Sequence, residues 1–187
     1  MSEEIINKFL NDFPIKGTTK EIPYVILFDA KTGAGKSTVA QIIAKYDKSI
    51  ILNNDEVRQW LKINNLDSSL KDELQRLRLE KLLDNNISCI QDSCFCHNWK
   101  KKKKYYDDNN IKYYIIRISC SDDIIKERLK TRKLDGINFS TATFDDYLWM
   151  KENIKNVPDE FINFIINTEE EIIPQVLDFL KQNNLDN

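Results

Sequence analysis

Glycine is scarce in this 187-residue sequence: only four occur, and two of them fall within one short segment. Long apolar runs are also missing, because no stretch approaches the roughly 20 residues of a membrane-spanning helix. Residues 1–10 are acidic and amphipathic, whereas a signal peptide begins with basic residues and continues with an apolar segment. We therefore expect a cytoplasmic protein with no membrane partner.

Cysteine is also limited. The four cysteines are too few for a disulfide scaffold in a chain of this length, and a cytoplasmic protein would keep them reduced. Cys94, Cys96 and His97 form a C-x-C-H segment whose thiolates and imidazole suit zinc, but the sequence lacks a second pair of ligands beside it. Cys89 and Cys120 are expected to be small buried apolar residues.

Positive charge does not dominate the chain, whose net charge is −2. This balance excludes a protein coated in basic residues for nucleic acid. Lys100 to Lys104, followed by Tyr105 and Tyr106, are the local exception, because clustered lysines neutralise phosphates and an aromatic ring can stack on a base. Five consecutive lysines surround a helix rather than line one face. A solvated surface is therefore weighed against nucleic-acid contact through this block.

One segment has the pattern of a phosphate-binding loop. Residues 24–28 are apolar or aromatic, and residues 30–38 read A-K-T-G-A-G-K-S-T, the P-loop pattern G-x-x-x-x-G-K-S/T with Ala30 in the first glycine position. Gly33 and Gly35 allow backbone N–H groups to turn inward around a polyphosphate, and a helix beginning near Lys36 adds its positive end. The predicted nucleotide-binding residues of the loop are Gly33, Ala34, Gly35, Lys36, Ser37 and Thr38, and the Ser37 hydroxyl would bind Mg²⁺.

Apolar runs and helical periodicities alternate along the rest of the chain. Strands are predicted at residues 24–29, 49–55, 87–92, 113–119 and 161–166, with helices between them. This alternation indicates an α/β fold with a parallel sheet and right-handed crossovers. The length fits one domain, residues 1–187, in which a packing helix at 2–13 precedes a nucleotide-binding core at 22–182.

Three acidic residues stand at the carboxyl ends of the first three predicted strands: Asp29, Asp55 and Asp92. Ligands of such sheets bind beyond these ends, so we expect the three carboxylates beside the P-loop. Asp55 is the candidate general base for a hydroxyl acceptor, and the N-cap of the following helix is its structural alternative. Asp92 would orient the water ligands of Mg²⁺ or contact the acceptor; capping of the next turn is its alternative.

Three arginines are further candidates. Arg58, one turn after Asp55, could hold an acceptor phosphate in a bidentate contact, or else form a surface salt bridge. Arg128 and Arg132 lie four residues apart on one helical face, directed toward a loop around Gly136 that could close as a lid over about residues 128–142. We expect at least one of the two to be catalytic, Arg132 first, with a solvated basic face as the alternative.

Residues 30–37, 54–58, 90–93 and 127–132 together resemble the P-loop kinases of the polynucleotide 5'-hydroxyl kinase type, a broad group that includes zeta toxins and chloramphenicol phosphotransferase. The resemblance, to an AAA-type ATP-binding kinase domain, implies a three-layer α/β/α P-loop NTPase fold with a five-stranded parallel sheet and a helical lid. It implies that Lys36 and Ser37 bind ATP and Mg²⁺, and that Asp55 activates the acceptor hydroxyl. The resemblance also implies that Arg58 holds an acceptor phosphate, that Arg132 stabilises the transferring phosphoryl group, and that Asn167 and Thr168 lie near the adenine. Independently of the resemblance, Arg128 is a candidate nucleotide-binding residue, and Asp92 is a candidate for both the metal and the acceptor.

The predicted function is ATP-dependent transfer of the γ-phosphate to a hydroxyl. The acceptor stays open between a nucleic-acid or nucleotide 5'-hydroxyl and a small molecule, because the third strand ends in Asp92-Ser93-Cys94 where polynucleotide kinases carry Asp-Thr-Asn and then paired arginines. The alternative is an ATP-binding module or an ATPase without an acceptor. An intact Lys36 and Asp55 favour the enzyme, because a protein that only binds needs no base at a strand end. The oligomeric state is left open.

Overall fold

A five-stranded parallel sheet forms the centre of the fold in the computed structural model, which describes residues 1–131 and 142–185. The strand order is β2-β3-β1-β4-β5, so the strand before the P-loop is central. The strands are β1 (Tyr24–Asp29), β2 (Ile50–Asn53), β3 (Cys89–Cys94), β4 (Lys112–Ser119) and β5 (Phe164–Asn167). All carboxyl ends therefore meet at one edge of the sheet, as predicted.

Eight α-helices occur within the described residues, and they connect or flank the strands. They are α1 (Glu3–Asp12), α2 (Lys36–Asp47), α3 (Asn54–Ile63), α4 (Lys71–Asp84), α5 (Trp99–Asp108), α6 (Asp122–Thr131), α7 (Phe144–Asn153) and α8 (Ile172–Gln182). Two short 3₁₀ turns, at Ser68–Leu70 and Asp159–Phe161, complete the assigned helical structure. In the described part of the chain, no helix is both long and apolar enough to cross a membrane.

Helices cover both faces of the sheet, and each face has its own core. Ile26 and Phe28 of β1 point into a core that also contains Ile43 of α2 and Phe179 of α8. Val25 and Leu27, the intervening residues of β1, point into the second core, which includes Leu79 and Leu82 of α4 and Tyr106 of α5. Burial on both faces explains why β1 is a continuous apolar run without alternation. The predicted three-layer α/β/α fold with five parallel strands is thus confirmed.

A third, smaller core attaches α1 to the helices that follow β2. Phe9 of α1 packs edge-on against Trp60 of α3, with the ring centroids 5.1 Å apart, and Leu74 of α4 closes the cluster. The Trp60 indole N–H donates to Asp12 Oδ2 at 2.8 Å. The predicted packing helix at 2–13 therefore supports α3 and α4, whose first turns line the cavity described below.

Several strand boundaries differ from the predictions: β2 ends at Asn53 rather than at residue 55, and β3 covers Cys89–Cys94 rather than residues 87–92. The fifth strand begins at Phe164 rather than at residue 161, because Asp159–Phe161 form a 3₁₀ turn. α5 begins at Trp99, directly after Asn98, whose left-handed conformation (φ 61°) keeps the preceding residues out of the helix. Arg132 and most of the predicted lid, at about residues 128–142, lie outside the described residues, because these exclude residues 132–141.

Candidate active site

The loop between β1 and α2 has the backbone conformation of a phosphate cradle. Gly33 and Gly35 have φ angles of 78° and 101°, which favour glycine, whereas Ala30 has no positive φ and tolerates a side chain. A Cβ on Gly33 would lie 2.8 Å from Ile125 Cγ2, so α6 packs too closely for any larger residue. α2 begins at Lys36 with no side-chain cap, which leaves the first-turn N–H groups of the helix available to an anion.

The P-loop lysine and serine lie next to Asp92. Lys36 Nζ donates to the Lys31 carbonyl at 2.9 Å, and the Ser37 hydroxyl lies close enough to the Asp92 carboxylate to lower its pKa. A change of register between β1 and β3 brings Asp92 and Ser93 into this position: Leu27 pairs with Gln91, but Phe28 pairs with Cys94. Bulges of this kind often redirect side chains next to active sites.

Burial raises the pKa of Asp92, against the opposing effects of the Ser37 hydrogen bond and the Lys36 charge; the neighbouring Asp55 raises it further. Asn53 Nδ2 donates to Asp92 Oδ2 at 3.2 Å. A hydroxyl and a partly buried carboxylate side by side suit Mg²⁺, which takes few protein ligands and keeps several waters. Ser37 and Asp92 are the residues that would hold this ion, and their role at the metal stays a prediction.

The raised pKa of Asp92 predicts that the carboxylate destabilises the ligand-free fold at neutral pH. A group with a higher pKa in the folded state contributes stability below its unfolded pKa, and that stability is lost as the pH rises through the folded value. Asp92→Asn should therefore raise the free energy of unfolding by about 1 kcal/mol at pH 7.5, measured by urea titration without Mg²⁺ or nucleotide, and the gain should shrink toward pH 4. A variant less stable than wild type at pH 7.5 would contradict this account.

The start of α3 presents Asp55 and Arg58 to the same space. Asn53, not Asp55, is the N-cap: its side-chain oxygen accepts the Asp55 backbone N–H at 2.7 Å. The possible capping role of Asp55 is thus wrong, because β2 ends and α3 begins two residues earlier than this role requires. Asp55 is instead a first-turn residue whose carboxylate does not cap the helix and forms an ion pair with Arg58; the Asp55 and Arg58 side chains are 29% and 56% exposed.

On the opposite side of the P-loop, Arg128 joins α6 to the end of β5. Its guanidinium donates to the Thr168 hydroxyl at 2.9 Å, to the Thr168 carbonyl at 2.7 Å and to the Ala34 carbonyl at 3.4 Å. The Thr168 hydroxyl also donates to the Ala34 carbonyl at 2.8 Å. Ala34 is therefore held at the tip of the loop by its carbonyl. Of the two residues predicted near the adenine, Thr168 lines the cavity. The Asn167 side-chain amide donates to Glu170 Oε1.

Asp29 does not belong to this group, although it ends β1. Its side chain is 1% exposed and accepts from Arg117 Nε at 2.8 Å and from the Val157 backbone N–H at 3.2 Å. Asp29 thus ends β1 as predicted, but its carboxylate is paired with Arg117 of β4 and does not line the cavity with Asp55 and Asp92.

The C-x-C-H segment is divided between the protein interior and the cavity. Cys96 is buried and its thiol donates to the Ala30 carbonyl at 3.5 Å, whereas His97 is exposed. Across residues 1–131 and 142–185, no group of three or more His, Cys, Asp or Glu side chains could hold a metal ion. Cys89 is fully buried, and burial raises the pKa of its thiol to about 12, as expected for a packing cysteine.

The lysine block is divided by the structure. Lys103 and Lys104 pair with aspartates one turn later, Asp107 at 2.7 Å and Asp108 at 2.9 Å, and Lys100 is exposed. Lys102 points the other way, into the cavity beside Cys94. Apart from Lys102, the block is thus largely a solvated surface, one of the two alternatives that the sequence left open.

A cavity of about 800 Å³ lies at the carboxyl edge of the sheet, lined by residues of the P-loop, the first turns of α3 and α4, the end of β3, α5 and α6. Sequence reasoning missed Lys71 and Asp72 at the start of α4 and Lys102 of α5. A signal for Lys102 was present, because Trp99 and Tyr106 lie three residues before and four after it, on one helical face. The predicted residues that line the cavity are Gly33, Gly35, Lys36, Ser37, Thr38, Asp55, Arg58, Asp92 and Arg128.

Comparison with known proteins places the fold in a defined group. A family model described as an AAA domain matches residues 25–156. No curated protein sequence matches the chain significantly. The gluconokinase of Sinorhizobium meliloti is 15% identical, with a TM-score of 0.59 over 90% of this chain and 97% of the gluconokinase.

Two further solved structures share the fold at similar identity. The APS kinase of Mycobacterium tuberculosis, in complex with AMPPNP and APS, is 15% identical, with a TM-score of 0.55 over 87% of this chain and 99% of its own. The shikimate kinase of Acinetobacter baumannii, in complex with shikimate, is 12% identical, with a TM-score of 0.55 over 88% of this chain and 94% of its own. The more specific resemblance to polynucleotide kinases and zeta toxins stays a prediction.

Proposed function

Because the chain belongs to the AAA domain family, we propose that it is an ATP-dependent kinase that transfers the γ-phosphate of ATP to a hydroxyl of a small molecule. The observation that carries the proposal is the position of Asp55, a carboxylate on the β2 side of the cavity that also contains Lys36 and Ser37 of the P-loop. A phosphate cradle and a separate carboxylate facing one space are what hydroxyl activation and phosphoryl transfer need.

The strand order divides the cavity into two halves around the central P-loop. We assign the β4–β5 half, with Arg128 and Thr168, to the nucleoside end of ATP and call it the donor half. The acceptor half lies on the β2–β3 side and is formed by the first turns of α3 and α4, the end of β3 and α5. The polyphosphate would extend along the P-loop between the halves, with the γ-phosphate near Lys36.

In the proposed reaction, the acceptor hydroxyl donates its proton to the Asp55 carboxylate while its oxygen forms a bond to the γ-phosphorus. The bond from this phosphorus to the β–γ bridging oxygen breaks, and ADP leaves with the electron pair. Lys36 places positive charge beside the transferring group, and Arg58 holds Asp55 in place from the next turn of α3. Mg²⁺, when bound with ATP by Ser37 and Asp92, would supply further neutralisation of phosphate charge. Protonated Asp55 then loses its proton to solvent.

Three observations support a small-molecule acceptor over nucleic acid. Lys103 and Lys104 are paired with Asp107 and Asp108, and Lys102 points into the cavity, so only part of the block is available to a phosphate backbone. The structures of similar fold that are described as complexes with APS and with shikimate bind small molecules. A cavity of about 800 Å³ is within the range typical of small-molecule sites.

The test is transfer of labelled γ-phosphate from Mg²⁺-ATP to a panel of acceptors, with Asp55→Asn as the control. The panel contains sugars, sugar acids, sugar phosphates, nucleosides and 5'-hydroxyl oligonucleotides. We expect label on a small molecule and none on an oligonucleotide. Label on oligonucleotides alone would refute the assignment of the acceptor, and ATP binding without transfer to any compound would favour a nucleotide-binding module.

A further inference from the structure

Lys102 is a cavity lysine whose charge the protein itself does not balance. Its Nζ donates to the Cys94 carbonyl at 3.2 Å, and the ring of Phe95 lies 5.9 Å from it. Among the described residues, no carboxylate lies within ion-pair distance of this ammonium. The following lysines differ, since Lys103 and Lys104 each have an aspartate partner.

The other lysine and arginine side chains of the cavity either form ion pairs within the protein or lie where the polyphosphate of ATP would bind. Arg58 is paired with Asp55, and Lys71 is paired with Asp72 at 2.7 Å. Lys36 and Arg128 lie on the P-loop and in the donor half. Lys102 is therefore the acceptor-half cation that has positive charge available for a ligand within the described structure.

The surroundings of Lys102 make a bound anion favourable. Burial lowers its pKa, and the charge of nearby Lys71 lowers it further, against the opposing effects of Cys94, Cys96 and Asp72. An ammonium that has lost part of its hydration gains more from a charged hydrogen bond than an exposed one does. The α5 face that holds it is fixed by Tyr106, which is buried in the core four residues later.

We propose that Lys102 is a specificity-determining residue that binds an oxyanion group of the acceptor, so that the substrate is a small hydroxyl compound carrying a carboxylate, phosphate or sulfate. The identification of the ligand as the phosphoryl acceptor rests on the proposed function. Binding of an oxyanion at Lys102 does not depend on phosphoryl transfer. The reacting hydroxyl would face Asp55 and the oxyanion would contact Lys102, with Lys71 next to it. This arrangement would orient the acceptor by two separated points.

Binding is tested with the donor half occupied. The protein is saturated with Mg²⁺ and a non-hydrolysable ATP analogue, so that the P-loop is filled, and inorganic sulfate or phosphate replaces chloride at constant ionic strength. Lys102→Met should weaken anion binding by about tenfold or more, as loss of a charged hydrogen bond typically does, measured by calorimetry and by the shift in Tm. Lys101→Met, an exposed neighbour in the same block, removes the same charge and should match wild type. Equal anion affinity in the two variants, or no anion binding by wild type, overturns the proposal.

Transfer is tested with matched acceptors: glycerol, glycerate and glycerol 3-phosphate, then glucose, gluconate and glucose 6-phosphate. We expect transfer to a charged member only, with the carboxylate and phosphate arms identifying the oxyanion, and an increase in KM of about tenfold in Lys102→Met. Equal kcat/KM for a neutral parent and its charged derivatives would overturn the inference while the kinase assignment stands. Lys102-dependent anion binding without transfer to any compound would uphold the oxyanion site and refute the proposed function.

Discussion

Asp55→Asn is expected to lower the rate of phosphoryl transfer by about 10²- to 10⁴-fold, the usual contribution of a general base. The amide has the same size as the carboxylate but cannot take the proton of the acceptor hydroxyl. ATP affinity should be unchanged, because the P-loop and Arg128 lie on other elements. The measurements are kcat for transfer and, separately, the Kd for Mg²⁺-ATP by calorimetry.

Asp72→Asn is the matched control for this substitution. Asp72 is another carboxylate of the same cavity, but its side chain is 88% exposed and paired with Lys71 at the start of α4. Loss of an exposed pair costs at most about 1 kcal/mol, so this variant should fold and keep most of its activity. The same reasoning applies to the exposed Asp55–Arg58 pair, so Asp55→Asn should fold as well. Equal losses of activity in both variants would show that general cavity charge, rather than a base at position 55, limits the reaction.

The fold was predictable because local patterns and burial agree. The apolar run of β1 indicates a strand covered on both faces, and the structure places alternate residues of this run in two different cores. The P-loop pattern was equally readable, since only glycine accommodates the backbone at Gly33 and Gly35. Both signals are carried by neighbouring residues, so no knowledge of distant contacts was needed.

The charged residues of the site were less predictable, because their environment depends on partners distant in sequence. Asp29 and Asp92 were both predicted at strand ends, yet Asp29 ends β1 and is paired with Arg117, 88 residues away, while Asp92 lies within β3 and faces the P-loop. Lys102 is one of five identical neighbours, and only the packing of α5 against the second core turns it inward. The identity of the residue alone therefore separates neither Asp29 from Asp92 nor Lys102 from the neighbouring lysines.

The exact start of a helix is also hard to predict from the sequence, even though the competing residues are neighbours. Asn53, Asn54 and Asp55 are all good N-cap residues, and the sequence does not decide among them. The structure selects Asn53, because β2 ends there and its side chain reaches the Asp55 N–H. The difference of two positions has a functional consequence, since it frees the Asp55 carboxylate to face the cavity.

The Asp29–Arg117 pair is expected to be a major contributor to stability. Asp29 ends the central strand with its side chain 1% exposed, and Arg117 is its cross-strand neighbour on β4. Arg117 also donates to the Val157 carbonyl and to Asp159, so one guanidinium connects β1, β4 and the segment before β5. Arg117→Met should lower the free energy of unfolding by about 3–5 kcal/mol, because it leaves a buried carboxylate with no counter-charge. Urea titration at pH 7.5 measures this loss.

Two further variants separate the buried charge from the rest of the network. Asp159→Asn removes an Arg117 partner whose side chain is 91% exposed, and it should cost less than about 1 kcal/mol. Asp29→Asn combined with Arg117→Met removes both charges, while the amide oxygen can still accept the Val157 N–H. The double variant should therefore be more stable than Arg117→Met alone, since the uncompensated charge is gone. If its loss instead equals the sum of the single losses, the two residues act independently, and the stability of this region comes from the hydrogen bonds of Arg117 to Val157 and Asp159.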